Sequence, residues 1–402
     1  MSAADTLRRG ACPSLPEPMR TGDGLLARLQ PLEPLTLDQL EGLARLAGAL
    51  GNGIIEVTAR GKLQLRGLTS VTAQGLPEAV NRLGIAVPQG FPVEVSALAG
   101  LDPTERFDPR PLAEAMAQRA ARLVAHLAPK ASVVVDGGGR LRLGGLKADI
   151  AVSAGAGGLS IALAGVPCGE VAPERAAAVV VALLETLAAR GNAARMADYV
   201  AEQGIEALRA GFDLAPPSAP TGTGADPVGL HPLRDGSFAL GVGLAFGQIE
   251  AATLEGLVHA ARRNGARHAE PAAGRTLLLA GLTREAASRL REVAAARGLL
   301  IDANDPRRRV YACAGRPACA SARIETHALA AELAPLLEGG DLHVSGCAKG
   351  CAHPSRAALT IVGLDEGAGL VVEGTPRDVP RAVLPVGAVA RAVRARLQKD
   401  LA

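Results

Sequence analysis

Four of the six cysteines lie close together in the last quarter of the chain. Cys313 and Cys319 are separated by five residues, Cys347 and Cys351 by three, and 27 residues lie between the two pairs. Structural zinc sites favour two to four residues within a pair, so the first pair is too wide for zinc. Four thiolates suit an iron–sulfur cluster, and nearby glycines (Gly315, Gly346 and Gly350) let the backbone bend around it. We therefore predict an iron–sulfur cluster, with zinc and four unligated buried thiols as the alternatives.

The remaining cysteines, Cys12 and Cys168, have no neighbouring thiol in the sequence, and we interpret them as structural. A disulfide framework is not expected in a chain of 402 residues without a secretion signal. The first ten residues, MSAADTLRRG, contain no apolar core segment, which predicts a cytoplasmic location.

The elements that carry the cysteines belong to an internal duplication. A shift of 214 residues aligns residues 40–69 with residues 254–283, and 13 of these 30 positions are identical. A weaker match at a shift of 209 aligns residues 134–137 with 343–346 and residues 148–152 with 357–361. Each half therefore contains two units in the same order.

The coarse pattern of elements predicts mixed α/β units. A strand over residues 25–29, a capped helix from Thr36, a strand or hairpin over 54–68 interrupted at Gly61, and a helix over 76–83 give a ferredoxin-like order. The next unit is predicted as a helix at 110–127, then strands, then a helix at 173–190. Its strands are expected at residues 132–135, 141–143, 149–152 and 159–164.

Polar and apolar residues alternate along residues 55–66, and this period predicts a polar face on one strand. Besides Glu56, the face comprises Thr58, Arg60, Lys62, Gln64 and Arg66. Three cations on one face suit a carboxylate-rich ligand, because Arg binds a carboxylate through two hydrogen bonds. A solvated surface is the alternative interpretation.

The duplication provides an internal comparison for this face. The equivalent residues of the second half carry no cation; they are Glu270, Ala272, Gly274, Thr276, Leu278 and Ala280. The cysteines show the reverse asymmetry, since Gly138 and Arg142 stand where the second half has Cys347 and Cys351. One half thus supplies charge and the other thiols, and a twofold arrangement predicts that both face one pocket.

The cysteine motifs, YACAGRPAC at 311–319 and SGCAKGC at 345–351, resemble the cluster motif of the nitrite/sulfite reductase superfamily. The resemblance covers nearly the whole chain. It implies an α+β fold of duplicated ferredoxin-like half-domains plus two reductase-type α/β domains around a pseudo-twofold axis. It also implies that the four cysteines hold a [4Fe-4S] cluster, and TARGKLQLR at 58–66 resembles the segment that binds sirohaem carboxylates.

This resemblance divides the chain into five segments. They are a ferredoxin-like half-domain at 15–90, an α/β domain without a cluster at 91–205, a Pro- and Gly-rich linker at 216–226, a second ferredoxin-like half-domain at 227–302, and the cluster-bearing α/β domain at 303–402.

Further segments resemble one branch of the superfamily, the precorrin-3B synthases of aerobic cobalamin biosynthesis. They are RRGACP at 8–13, MRTGDGLL at 19–26, GLHPL at 229–233 and ALGVGL at 239–244. Two departures from the reductase pattern, Lys349 in place of Asn and Ala358 in place of an acidic residue, argue against plain sulfite or nitrite reduction.

The branch implies O2-dependent oxidation of the tetrapyrrole precorrin-3A, by hydroxylation of a meso carbon and closure of a lactone. It implies a [4Fe-4S] cluster, a separate non-haem iron, a reduced electron donor (NADH, a reductase or a ferredoxin) and no sirohaem. Lys349 would add a charge beside the cluster for a carboxylate-rich substrate. For the non-haem iron the sequence offers only His231 and His353, each with a structural role as the alternative.

Composition excludes other classes of function. The net charge is +3 and aromatic residues are 2% of the chain, which argues against nucleic-acid binding. The longest apolar run, residues 176–184, is too short to cross a membrane. Two alternatives to the synthase remain: a sirohaem-containing sulfite or nitrite reductase, and an iron–sulfur electron-transfer protein without a substrate pocket.

Overall fold

Four five-stranded β-sheets form the framework of the protein. The computed structural model describes residues 13–88, 90–218 and 224–400. Most of the segment RRGACP (residues 8–12, including Cys12) and the middle of the predicted linker lie outside these ranges. No helix in the described ranges is long and apolar enough to cross a lipid bilayer.

The first unit has the predicted ferredoxin-like order with two additional short strands, one at its start and one just before the first helix. Its elements are β1 (Met19–Thr21), β2 (Gly24–Leu29), β3 (Leu35–Thr36), α1 (Leu37–Leu50), β4 (Ile54–Val57), β5 (Leu63–Leu68) and α2 (Ser70–Arg82). Helix α1 begins as predicted after Thr36: the Gln39 N–H donates to Thr36 Oγ1 at 3.1 Å, and the Thr36 N–H donates to Gln39 Oε1 at 2.9 Å.

The second unit is an α/β sheet followed by helices. It contains β6 (Val93–Val95), α3 (Arg110–Ala120), β7 (Val133–Asp136), β8 (Ile150–Ala154), β9 (Leu159–Leu163), β10 (Val166–Val171), α4 (Pro173–Ala189), α5 (Met196–Gln203) and α6 (Ile205–Gly211). β6, β7 and β8 are parallel, whereas β9 and β10 add antiparallel strands at one edge.

The third unit repeats the first and the fourth repeats the second. The third contains β11 (Gly229–Pro232), β12 (Phe238–Gly243), β13 (Gln248–Glu250), α7 (Ala251–Arg263), β14 (His268–Ala272), β15 (Thr276–Leu282) and α8 (Arg284–Ala296). The fourth contains β16 (Val310–Ala312), α9 (Thr326–Leu333), β17 (Leu342–Ser345), β18 (Ala357–Leu364), β19 (Gly367–Gly374), β20 (Ala382–Leu384) and α10 (Val389–Asp400).

The two ferredoxin-like units exchange a strand with each other. β13 of the second half pairs with β4 of the first, and β3 of the first half pairs with β14 of the second. The exchanged strands are equivalent in the duplication, so the two pairings are the same contact made twice. Leu40 and Leu254, another equivalent pair, are each 1% exposed in one apolar core that both units share.

The two β4–β5-type turns meet where the halves adjoin. Arg60 forms an isolated antiparallel bridge with Ala273, and the Gly274 N–H donates to the Ala59 carbonyl at 2.9 Å. Gly61 has φ +73°, and a Cβ there would lie 2.8–2.9 Å from the backbone of residues 272 and 273. This close approach explains the glycine that interrupts the predicted strand.

Part of the predicted secondary structure was wrong. Residues 141–143 form a loop rather than a strand, because the Gly138 and Leu143 N–H groups donate to the Asp136 carboxylate at 2.9 and 2.8 Å. Helix α3 ends at Ala120 and continues as a 3-10 turn to His126. The short strand β6 and the edge strand β10 were not predicted. The boundaries of the five predicted segments stay a prediction.

Candidate functional site

The four clustered cysteines lie on two neighbouring loops. Cys313 directly follows β16 and Cys347 follows β17, and these strands are parallel neighbours. The loops at their carboxyl ends therefore leave the same edge of the sheet. Cys319 lies farther along the first loop and Cys351 farther along the second, so the fold brings both cysteine pairs to one edge.

The Cys313 thiol lies nearest the protein interior. Burial raises its pKa, the Gly346 N–H donates to its Sγ at 3.2 Å, and the Cys351 and Cys319 thiols raise the pKa further by their charge. The four cysteines differ in exposure, since Cys351 is exposed and the other three are half-buried. A buried thiol of raised pKa stays protonated unless a metal binds it.

Small residues shape the loops around the thiols. Gly315 has φ +61°, and a side chain there would collide with Thr326, whose hydroxyl donates to the Cys313 carbonyl at 2.5 Å. Gly22, in the β1–β2 turn of the first half, packs so tightly against Cys319 that a Cβ on Gly22 would overlap its Sγ. The first half thus forms one wall of the thiol site.

The thiol loops offer four sulfur donors, the ligand type that an iron–sulfur cluster takes. Within residues 13–88, 90–218 and 224–400, no three His, Cys, Asp or Glu side chains have the spacing of ligands around one metal ion. In a [4Fe-4S] cluster each thiolate binds a different iron, so the sulfurs lie farther apart than around one ion. The four thiols lie on adjacent loops, and a backbone N–H donates to one of the sulfurs, Cys313 Sγ; their role as cluster ligands stays a prediction.

The predicted polar face is a hairpin rather than one strand. Gln64 on β5 pairs with Glu56 on β4, whereas Thr58 and Arg60 lie in the turn between the strands. Thr58 Oγ1 accepts from the Lys62 N–H at 3.0 Å, which closes the turn. The expectation that all these side chains share one strand face was therefore wrong.

Three cations, Arg28, Arg60 and Lys62, form what we call the cationic group. Arg60 binds Glu94 with its Nε and Nη2 at 3.0–3.3 Å, and Lys62 Nζ lies 3.8 Å from the same carboxylate. Burial lowers the pKa of Lys62 to about 8; Glu94 opposes this decrease, and Arg60 and Arg28 add to it. The Glu94 carboxylate thus pairs with two cations, and Arg28 adds a third positive charge close to Lys62.

Two members of this arrangement were not predicted from the sequence. With the Gln64 amide oriented so that its oxygen faces Arg28 on the neighbouring strand β2, Arg28 donates to that oxygen from Nε and Nη2 at 3.0 and 2.8 Å. Glu94 arrives from β6 of the second unit. The alternation of Arg28 with its apolar neighbours in the sequence could have placed Arg28 on the polar face. No sequence pattern indicated that Glu94 would lie there.

Arg66 belongs to a different set of contacts. It donates to the Asp23 carboxylate at 2.8 and 2.9 Å and to Glu56 at 2.9 Å. Burial alone would lower the pKa of Arg66, but these hydrogen bonds raise it overall. Arg66 therefore has two carboxylate partners in this structure, and its predicted role in substrate binding stays a prediction.

Arg66 and Asp23 also connect the hairpin to the thiol loops. Asp23 follows Gly22, whose carbonyl accepts from the Ala320 N–H at 3.0 Å. Burial, and then the charge of Arg66, lowers the pKa of His327 at the start of α9. The hairpin of the first half and the thiol loops of the second half are therefore neighbours.

The other predicted site residues have local partners. Lys349 Nζ donates to Ser321 Oγ at 2.9 Å. His231 is 3% exposed on β11, its Nε2 lies 3.0 Å from the Pro227 carbonyl oxygen, and burial lowers its pKa. His353 stacks on Tyr311 with ring centroids 4.2 Å apart. Their predicted roles in substrate or iron binding stay predictions.

A cavity of about 660 Å³ lies against the second unit. It is lined by residues 144–149, 164–165, 195 and 197–198. The Lys147 carbonyl at its rim accepts from Arg60 Nη1 at 2.7 Å, so the cavity adjoins the cationic group.

Comparison with known proteins complements this geometry. No family model matches the sequence. A curated precorrin-3B synthase from a Sinorhizobium species is 42% identical over 398 residues, which span 94% of this chain and 85% of that protein.

A solved structure, that of the Mycobacterium tuberculosis NirA protein, superposes with a TM-score of 0.72. The superposed region covers 93% of this chain and 80% of the NirA chain, and the two sequences are 19% identical there. At this identity the likeness concerns the fold alone. This agreement confirms the predicted α+β fold. Because 42% identity extends over nearly its whole length, the chain belongs to the precorrin-3B synthase family.

Proposed function

We propose that the protein catalyses the O2-dependent conversion of precorrin-3A to precorrin-3B in cobalamin biosynthesis. The identity with a precorrin-3B synthase over 94% of the chain carries this proposal. In such a monooxygenase reaction one oxygen atom enters the tetrapyrrole and the other leaves as water. Two electrons come from a reduced donor, either NADH or a partner protein, and the reaction takes place in the cytoplasm.

The cationic group supports a tetrapyrrole as the substrate. Precorrins carry acetate and propionate groups around the ring. Of the three cations, Arg60 and Lys62 share the Glu94 carboxylate, whereas Arg28 donates to Gln64. Bound substrate carboxylates would replace water around partly buried cations, where charge-assisted hydrogen bonds are strong. These residues would orient the ring toward the neighbouring thiol loops.

The thiol loops support a [4Fe-4S] cluster bound by Cys313, Cys319, Cys347 and Cys351. When bound, the cluster would supply single electrons. The chain's own contribution is to bury Cys313, to donate the Gly346 N–H to its sulfur, and to cover Cys319 with Gly22. Lys349 extends the positive charge on the exposed side of the second loop.

The test uses anaerobically purified protein. Acid–acetone extraction should yield no stoichiometric sirohaem, while iron and sulfide analysis should give a four-iron cluster. The protein should then turn over precorrin-3A with O2 when electrons are supplied, and leave sulfite and nitrite unreduced. Sirohaem near one per chain, together with sulfite or nitrite reduction, would replace this proposal with a reductase function. A cluster without turnover of any of the three substrates would favour an electron-transfer protein.

A further inference from the structure

Glu94 reaches the cationic group from another unit of the chain. It lies on β6 of the second unit, whereas Arg60 and Lys62 lie in the hairpin turn of the first. Its carboxylate accepts from Arg60 Nε and Nη2 at 3.0–3.3 Å, and Arg60 Nη1 donates to the Lys147 carbonyl at 2.7 Å. Two donors on one carboxylate fix the plane and direction of a guanidinium. Glu94 therefore sets the orientation of Arg60.

The ammonium of Lys62 is placed differently. Within the part of the chain that the structure describes, Lys62 Nζ donates no hydrogen bond; it lies 3.8 Å from Glu94 Oε2, and its side chain is 13% exposed. The charged groups that face it are Glu94 from β6, Arg60 from the turn and Arg28 from β2. Burial and the two arginines lower the pKa of Lys62 to about 8, and Glu94 opposes them. Without Glu94 the ammonium would therefore lose its proton at a lower pH.

The second half makes the corresponding contact through an aromatic ring. Tyr311 on β16 has the strand position of Glu94 on β6, because each pairs with the equivalent residue of the next strand, at 343 and 134. Arg275 in the turn between β14 and β15 lies over the Tyr311 ring at 4.8 Å. An arginine of the turn thus contacts this strand in both halves, once on a tyrosine and once on a carboxylate. Packing of the turn alone does not explain why residue 94 carries a charge.

We propose that Glu94 is a positioning residue for the substrate: it fixes the direction of the Arg60 guanidinium and keeps Lys62 positively charged, so that both cations can bind substrate carboxylates. This inference rests on the proposed function, in which the cationic group binds the carboxylates of a tetrapyrrole. Glu94 acts through its two neighbours and needs no contact with the substrate itself.

The proposal predicts a defined pH dependence of binding. Acetate and propionate groups are ionised above about pH 5, so the charge on Lys62 is what changes at alkaline pH. A ligand that prefers the charged lysine loses affinity as pH rises above the pKa of Lys62 in the free protein. Affinity of the wild-type protein for precorrin-3A should begin to fall near pH 8. In Glu94→Gln the fall should begin at least about one pH unit lower, because a neighbouring opposite charge shifts a pKa by about 1–3 units.

The first experiment follows the titration of Lys62 without any substrate. The purified full chain is treated with a trace of acetic anhydride between about pH 6 and pH 11, and acetylation of the peptide that contains Lys62 is measured by mass spectrometry. Because only the neutral amine reacts, the midpoint reports the pKa of Lys62. It should lie near pH 8 in the wild-type protein and at least about one unit lower in Glu94→Gln. An unfolded variant would be recognised by a midpoint near 10.5, the value of a free lysine.

Two further variants separate charge from other effects. Glu94→Asp keeps the charge on a shorter side chain, so it should restore most of the Lys62 midpoint that Glu94→Gln loses. Glu78→Gln is the matched control, because Glu78 forms an exposed ion pair with Arg82 and should leave the midpoint unchanged.

The second experiment titrates the same proteins with precorrin-3A over the same pH range. In each protein the fall in affinity should begin at the Lys62 midpoint, whereas a merely structural role of Glu94 would lower affinity equally at every pH. An unchanged Lys62 midpoint in Glu94→Gln, or an equal loss of affinity at every pH, would overturn the proposal. A shifted midpoint in Glu94→Gln, together with wild-type protein that binds no precorrin-3A, would overturn the proposed function and leave the control of the Lys62 charge by Glu94 supported.

Discussion

Lys62 provides a test of how the protein holds charge for its substrate. Its side chain is 13% exposed and shares Glu94 with Arg60. Burial and two neighbouring arginines hold the pKa of Lys62 at about 8, against 10.5 for a free lysine. Each unit of pKa corresponds to about 1.4 kcal/mol, so the protonated ammonium destabilises the folded protein by about 3 kcal/mol at neutral pH.

Replacing Lys62 by Met should therefore raise stability and lower affinity. Met fills a similar volume without a charge, and Glu94 keeps Arg60 as its partner at 3.0 Å. The free energy of unfolding should rise by up to about 3 kcal/mol at pH 7, which is several degrees in Tm. Loss of one charge-assisted bond should weaken precorrin-3A binding about ten- to a hundredfold.

The pH dependence has a defined sign. Between about pH 8 and 10.5 the unfolded chain keeps a proton on Lys62 that the folded protein has released. Wild-type stability gains from this release as pH rises, so the advantage of Lys62→Met should be full below pH 8 and vanish toward pH 10.5.

The assay is thermal or denaturant unfolding of the wild-type and variant proteins at several pH values, with substrate titration followed by fluorescence. Arg82→Met is a suitable control, because Arg82 forms an exposed pair with Glu78 and should change stability by less than about 0.5 kcal/mol. A Lys62→Met protein that is less stable than wild type, or binds the tetrapyrrole equally well, would refute the reasoning.

Three other predictions concern the thiols, the turn and the glycine wall. Cys347→Ser and Cys351→Ser should each abolish the visible absorption of the cluster, whereas Cys168→Ser, in the core of the second unit, should keep it. Full retention of the cluster in Cys347→Ser or Cys351→Ser would show that the replaced cysteine is not a cluster ligand. Arg60→Ala should weaken tetrapyrrole binding about ten- to a hundredfold while the protein retains four iron and four sulfide. Unchanged tetrapyrrole affinity would favour the alternative interpretation, in which the turn is a solvated surface. Gly22→Ala should reduce cluster incorporation because its Cβ would overlap Cys319 Sγ, whereas Gly48→Ala, in helix α1 with open space around it, should keep the cluster and add about 0.5–1 kcal/mol of stability. Equal iron content in both glycine variants would contradict the packing argument.

Local and repeated signals in the sequence predicted much of the fold. The capping residues at Thr36, the turn at Gly61 and the duplication itself led to the correct order of elements in the ferredoxin-like units. The strand predicted over residues 141–143 failed because its apolar residues alternate like a strand but are held in a loop by Asp136. Alternation of apolar and polar residues indicates only that one side of a segment is buried, and a packed loop can be buried on one side as a strand is.

The candidate site was predicted only where its residues lie close in sequence. The cysteine spacing indicated the thiol loops, and the basic alternation indicated Arg60 and Lys62. Glu94 and Asp23 come from other elements, and their ion pairs depend on tertiary contacts that no local pattern encodes. The alternation also placed Arg66 with the other cations, although in the structure it pairs with two carboxylates, those of Asp23 and Glu56.

The exchange of strands between the two halves has a consequence for synthesis on the ribosome. Glu56 pairs with Gln248 and Thr36 pairs with His268, so in each pair the second strand emerges about 200 residues after the first. Until then the hydrogen-bonding edge of β4 is uncovered, and uncovered strand edges invite pairing with other chains. Contacts this distant also form slowly, because a long loop must close first. The nascent first half is therefore the stage at which this protein depends most on protection from aggregation.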